Sequence, residues 1–188
     1  MASKKYIKDY ELVETEDANG RVKKSVIYHG DYFTLDLDES QIRKTKRNFV
    51  LLTLAIILIH IAAGFVGNPG MYKFYIAVPY TSAFLPLMFM LMAVTRLPSE
   101  KRPYRNEEIG LSYERIKTTS LLYLIFMGIG LVGVVVFRLI SIGQPGLGSE
   151  LIYFGLICVC LALDWMIYRK IRKIRIEICE KPAEVNSL

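Results

Sequence analysis

Apolar positions collect into four long runs, residues 49–66, 74–95, 121–142 and 151–168, divided by stretches in which polar and charged residues dominate. At a rise of 1.5 Å per residue, a helix made of any one run is long enough to cross a hydrocarbon layer about 30 Å thick. Ahead of the first run the pattern changes. Residues 10–15 and 21–28 read as strands joined by a turn through Asn19-Gly20, whose residues take up positive φ readily. After a break at Gly30, residues 32–37 alternate Phe33, Leu35 and Leu37 with Tyr32, Thr34 and Asp36. The fold class expected is an all-α membrane protein, a four-transmembrane-helix bundle with a small cytoplasmic three-stranded β-meander at its N-terminus.

Three units follow: a cytoplasmic β-rich segment over 1–47, a four-span membrane domain over 48–168 with a cytoplasmic loop at 96–117, and a cytoplasmic basic tail over 169–188. A sheet as small as the first unit has little core of its own and needs a partner. The tail offers one, because Ile174, Ile176 and Ile178 alternate with Arg175, Glu177 and Cys179. That period of two predicts a strand added to the meander, with an interfacial basic helix as the competing reading. The spans group into two hairpins of equal orientation, each with a Pro-Gly pair in its connecting loop; the likeness is short enough to be chance.

Charge changes the picture by its placement. The chain has a mean hydropathy of +0.32 and a net charge of +6, yet its charges crowd into the termini and one central loop. Arg43, Lys44, Lys46 and Arg47 precede the first span; six Lys and Arg residues fill 96–117; Arg169, Lys170, Arg172, Lys173 and Arg175 follow the fourth span. The two remaining loops contribute only Lys73. The positive-inside rule then places both termini in the cytoplasm, and the cell membrane is the expected location. The basic excess is read as orientation and as attraction to anionic lipids at the cytoplasmic face of the bilayer, not as affinity for nucleic acid. The start of the chain lacks the charged-then-apolar pattern of a cleavable signal, so the first span is expected to persist.

Ionisable groups inside spans are costly and become the first functional candidates. Arg138 falls near the outer end of the third span and matches Glu150 in depth, which predicts an outer ion pair; Asp164 is too far below Arg138 to be its partner. Asp164 is expected at the inner headgroup boundary, neutralised by Arg169 and Lys170. His60 is expected to make one interhelical hydrogen bond. In the second span, Pro79 and Pro86 remove helical hydrogen bonds and free the carbonyls of Tyr75 and Ser82. The kink would let Tyr75, Tyr80, Thr81 and Ser82 wall a polar cavity, so His60, Tyr80, Ser82 and Asp164 form the candidate intramembrane polar site.

Gly128, Gly130 and Gly133 permit close helix approach, and Met88, Met90 and Met92 read as adaptable packing. Asp38 and Gln41 read as a helix cap. Cys158 and Cys160 are turned apart by about 200° on a helix and do not suit one metal. No hydrolase, zinc, nucleotide or dithiol motif occurs, and no metal or cofactor is expected. The leading functional expectation is an accessory or interaction subunit of a membrane complex, with a protein partner or a second copy of itself. A small transporter or channel component built around the kinked second span is the alternative, and an enzyme without a recognisable motif comes third.

Overall fold

The computed structural model describes residues 4–16, 22–141 and 147–179, and the expected Asn19-Gly20 and Pro145-Gly146 turns lie outside them. A 3-10 helix over Lys4–Asp9 precedes two antiparallel strands, β1 (Tyr10–Glu16) and β2 (Val22–Tyr28), which are followed by β3 (Tyr32–Leu35). Helix α1 runs over Glu39–Gly64. The backbone N–H of Asp38 donates to Gln41 Oε1 at 3.2 Å, so the glutamine reaches back over the first turn as the sequence predicts.

The second span is two helices, α2 (Phe74–Ser82) and α3 (Phe84–Thr95), with the break at Ala83. It falls between the two prolines, four residues after Pro79 and three before Pro86. Strand β4 (Tyr104–Arg105) leads into α4 (Asn106–Ile109), which continues through a π-helical turn at Gly110–Glu114 into α5 (Arg115–Ile140). Helix α6 (Leu147–Ile171) and strand β5 (Ile176–Cys179) complete the described chain. Four helices are therefore long and apolar enough to cross a membrane.

Around the bundle, α1 packs on α3 and α6, while α5 packs on α2, α3 and α6. Each span thus lies beside its sequence neighbours, and the first closes the ring against the fourth. Every span buries one stripe at steps of three and four residues. In α1 it is Ile42, Thr45, Phe49, Thr53, Ile56, His60 and Ala63; in α6 it is Glu150, Tyr153, Ile157, Cys160, Asp164, Ile167 and Ile171. This is the spacing of a helix-bundle seam. The opposite faces expose Leu51, Leu58, Val132, Leu139, Leu151 and Ile152, which water would penalise and hydrocarbon accepts.

The expected meander is not formed. β1 pairs only with β2, whereas β3 leaves the ribbon and becomes the centre of a second sheet of order β4-β3-β5. Burial explains the departure. At the base of the bundle Leu35 and Tyr104 become almost wholly covered, and Leu35 joins the core that contains Ile42. A place beside β2 would have left Leu35 on an exposed ribbon. The tail does form the strand predicted from its alternation, with Tyr32 opposite Cys179 and Leu35 opposite Ile176, instead of an interfacial helix.

Residues 96–117 are likewise more ordered than a loop, holding β4, α4 and the start of the third long helix. The β1–β2 ribbon docks on that segment by its base. Tyr28 Oη accepts from the backbone N–H of Asn106 at 3.0 Å, satisfying a donor at the start of α4 that has no helical partner, and donates to the Asp31 carbonyl at 2.9 Å. Tyr10 Oη donates to Glu107 Oε2 at 3.0 Å. Burial pushes both phenols above their ordinary range, so each keeps its donor proton.

Candidate functional site

The buried stripe of α6 carries Glu150, Tyr153, Cys160 and Asp164 down the inside of the bundle. At its middle a cluster draws on all four spans. The His60 ring stacks on Tyr80 with centroids 4.3 Å apart and planes within 3°, and Phe84 meets the imidazole edge-on at 4.4 Å. His60 Nδ1 lies 3.2 Å from Tyr123 Oη. Tyr80 Oη donates to the His60 carbonyl, and Tyr153 approaches Tyr80 with ring centroids 6.0 Å apart. Cys160 Sγ faces the Ile56 carbonyl at 3.9 Å. The expected single interhelical bond of His60 is present, but as part of an aromatic stack.

Asp164 corrects the sequence reading. It has no exposed surface, and its Oδ1 accepts from Ser120 Oγ at 2.9 Å. Arg169 and Lys170 are exposed and form no ion pair with it among the described residues. The cause is angular: Asp164 occupies the seam, while Trp165, about 100° further round, carries the interfacial face outward and is 54% exposed. Six buried side-chain polar atoms have no hydrogen-bond partner among the described residues, and four of them belong to the seam: Asp164 Oδ2, Thr53 Oγ1, His60 Nε2 and Tyr153 Oη.

The polar residues of the second span do not share one environment. Tyr80 is buried in the stack, Thr81 is exposed and donates back to the Ala77 carbonyl, and Ser82 is half-buried, with no hydrogen bond to His60 or Asp164 among the described residues. Five clefts among the described residues are lined by other side chains. The carbonyl that Pro79 frees, at Tyr75, meets α5 at Gly133, where an added Cβ would stand 2.9 Å from that oxygen. The kink therefore serves close helix approach.

At the end of the bundle away from the sheets, Arg138 Nη1 and Glu150 Oε2 are 3.4 Å apart, with side chains 34% and 7% exposed. The two residues matched by depth are brought together. Thr53, Ser120, Tyr123, Tyr153 and Cys160 were missed as members of the seam. Their signal was spacing: counting back from Asp164 by four and then by three and four reaches Cys160, Ile157 and Tyr153. Among the described residues no three His, Cys, Asp or Glu side chains gather into a possible metal site. Comparison with protein-family models, curated proteins and solved structures gave no match.

Proposed function

We propose that this chain is an accessory subunit anchored in the membrane, which presents its strand-bearing end to a partner protein. The observation that carries the reading is the β1–β2 ribbon. Leu12 and Val26 are directly opposed across it and are 69% and 62% exposed, while Tyr10 and Tyr28, the next pair on the same face, are docked against α4. A two-stranded ribbon is marginal alone, and an uncovered apolar cross-strand pair invites an apolar surface. Strand β5 adds a second contact point, since it is an edge of its sheet and Ile178 is 71% exposed.

The basic residues at this end support its placement in the cytoplasm, beside anionic headgroups. The transport alternative finds less support, because the polar groups of the seam face one another inside a packed centre. A photo-reactive residue placed at Leu12, in cells, is expected to give a discrete protein adduct, while the same residue at lipid-facing Leu51 gives none. No adduct from either Leu12 or Val26, with the protein sedimenting as a monomer from mild detergent, would remove the reading.

A further inference from the structure

The Arg138–Glu150 pair stands at the head of a groove of about 220 Å³ between α5 and α6, on the bundle surface. Its walls are Val135 and Leu139 from one helix and Leu151 and Phe154 from the other, and apart from the ion pair its lining is hydrocarbon. Leu139 and Leu151 are 66% and 60% exposed, so the groove opens toward the surface that the bilayer covers. Arg138 is two residues from the end of α5, which sets its guanidinium near headgroup level when its helix crosses the membrane.

The guanidinium is underused. Arginine has five N–H donors in a planar fork, and among the described residues this one makes a single contact, to a carboxylate oxygen at 3.4 Å. Donors held at the edge of hydrocarbon need acceptors, and the acceptor common to phospholipids at that depth is the phosphodiester, which fits the fork with two parallel bonds. We infer that this groove is a binding site for one phospholipid, with an acyl chain lying between α5 and α6 and the phosphodiester held by Arg138. Glu150 keeps the guanidinium in place and competes for its donors. The site therefore selects for the phosphate itself and not for a net negative headgroup. This inference is independent of the docking surface at the other end.

The test is native mass spectrometry of the full chain in detergent, with dioleoyl phosphatidylethanolamine or dioleoyl glycerol supplied as alternative probes. The wild type is expected to retain one phosphatidylethanolamine and little dioleoyl glycerol. Arg138→Leu should lower retention by about tenfold, the factor that corresponds to about 1.4 kcal/mol of charge-assisted hydrogen bonding. Glu150→Gln should keep or raise it, because donors are released. Val135→Trp fills the groove while leaving both ion-pair residues in place and should abolish the adduct, which decides the matter even where Arg138→Leu fails to fold. Equal retention of the two probes, an adduct that survives Val135→Trp, or a protein dimer in place of the lipid adduct would overturn the site.

Discussion

A methyl group added at Gly133 would lie 2.9 Å from the Tyr75 carbonyl oxygen and 3.0 Å from Ile76 Cγ1, whereas one added at Gly128 meets nothing within 4 Å. Gly133→Ala is therefore expected to destabilise the bundle by about 1–3 kcal/mol, the usual cost of overpacking, and Gly128→Ala to change it by less than about 0.5 kcal/mol. Unfolding both variants in a denaturing detergent provides the comparison; equal effects would mean that the helices do not approach at Gly133. The same measurement tests Ser120→Ala. Interhelical hydrogen bonds in membranes average about 0.6 kcal/mol, but Ser120 is the one hydrogen-bond donor to Asp164 among the described residues, and a stranded buried polar group costs about 1–3 kcal/mol. A loss near the upper figure is expected, and a silent substitution would show that the carboxyl finds another partner. Reading Asp164 from sequence failed because the neighbouring Trp165, Tyr168 and Arg169 signal an interface, while the side-chain direction that removes Asp164 from that interface is a matter of helix phase. Arg138 and Glu150 were legible because depth alone pairs them.

Among elements, the tail strand and the ribbon make separable predictions. β3 is paired on both edges, by β4 and by β5, whereas β1 and β2 pair only with each other among the described residues. Ending the chain after Lys173 is expected to speed amide hydrogen exchange in β3 by at least about tenfold while leaving β1 and β2 nearly unchanged. Equal acceleration in both sheets would restore the single meander that the structure rejects. Strand identity was readable from alternation in residues 32–35 and 176–179, because period two is a local property. Strand pairing was not, because it depends on where Leu35 and Tyr104 find cover, and that place is assembled from segments nearly seventy residues apart. The spans show a similar limit. Their length and hydropathy stand out, but inside lipid both faces of a helix are apolar, so the seam has no hydrophobic contrast to mark it. Only its polar members, such as Thr53 and Asp164, betray the repeat.

For the whole molecule, the ring order of the spans and the shared end of the sheets require an even number of crossings between β3, β4 and β5. In a background with the native cysteines replaced, Tyr72→Cys is expected to react with an impermeant thiol reagent in intact cells and Lys101→Cys only after permeabilisation. Tyr72 is 91% exposed, and Lys101 is exposed near the sheets, so access is not limited by burial. The opposite pattern would invert the assignment of every polar segment to its side of the membrane. The side expected for the sheets rests on the three basic blocks alone, since it comes from counting Lys and Arg, and the labelling experiment is its test.

The β4-β3-β5 sheet draws its strands from before the first span, between the second and third, and after the fourth. With each long helix crossing a membrane, β3 would be made first, β4 would reach it only after one complete hairpin had inserted, and β5 only after both had. A span that fails to insert reverses the side on which the next strand appears, so the sheet closes only on a chain whose crossings have the right parity. Closure of the sheet would then depend on correct insertion of every span. A chain threaded wrongly would keep a bare β3 edge, with Tyr32 and Leu35, buried in the folded chain, left uncovered.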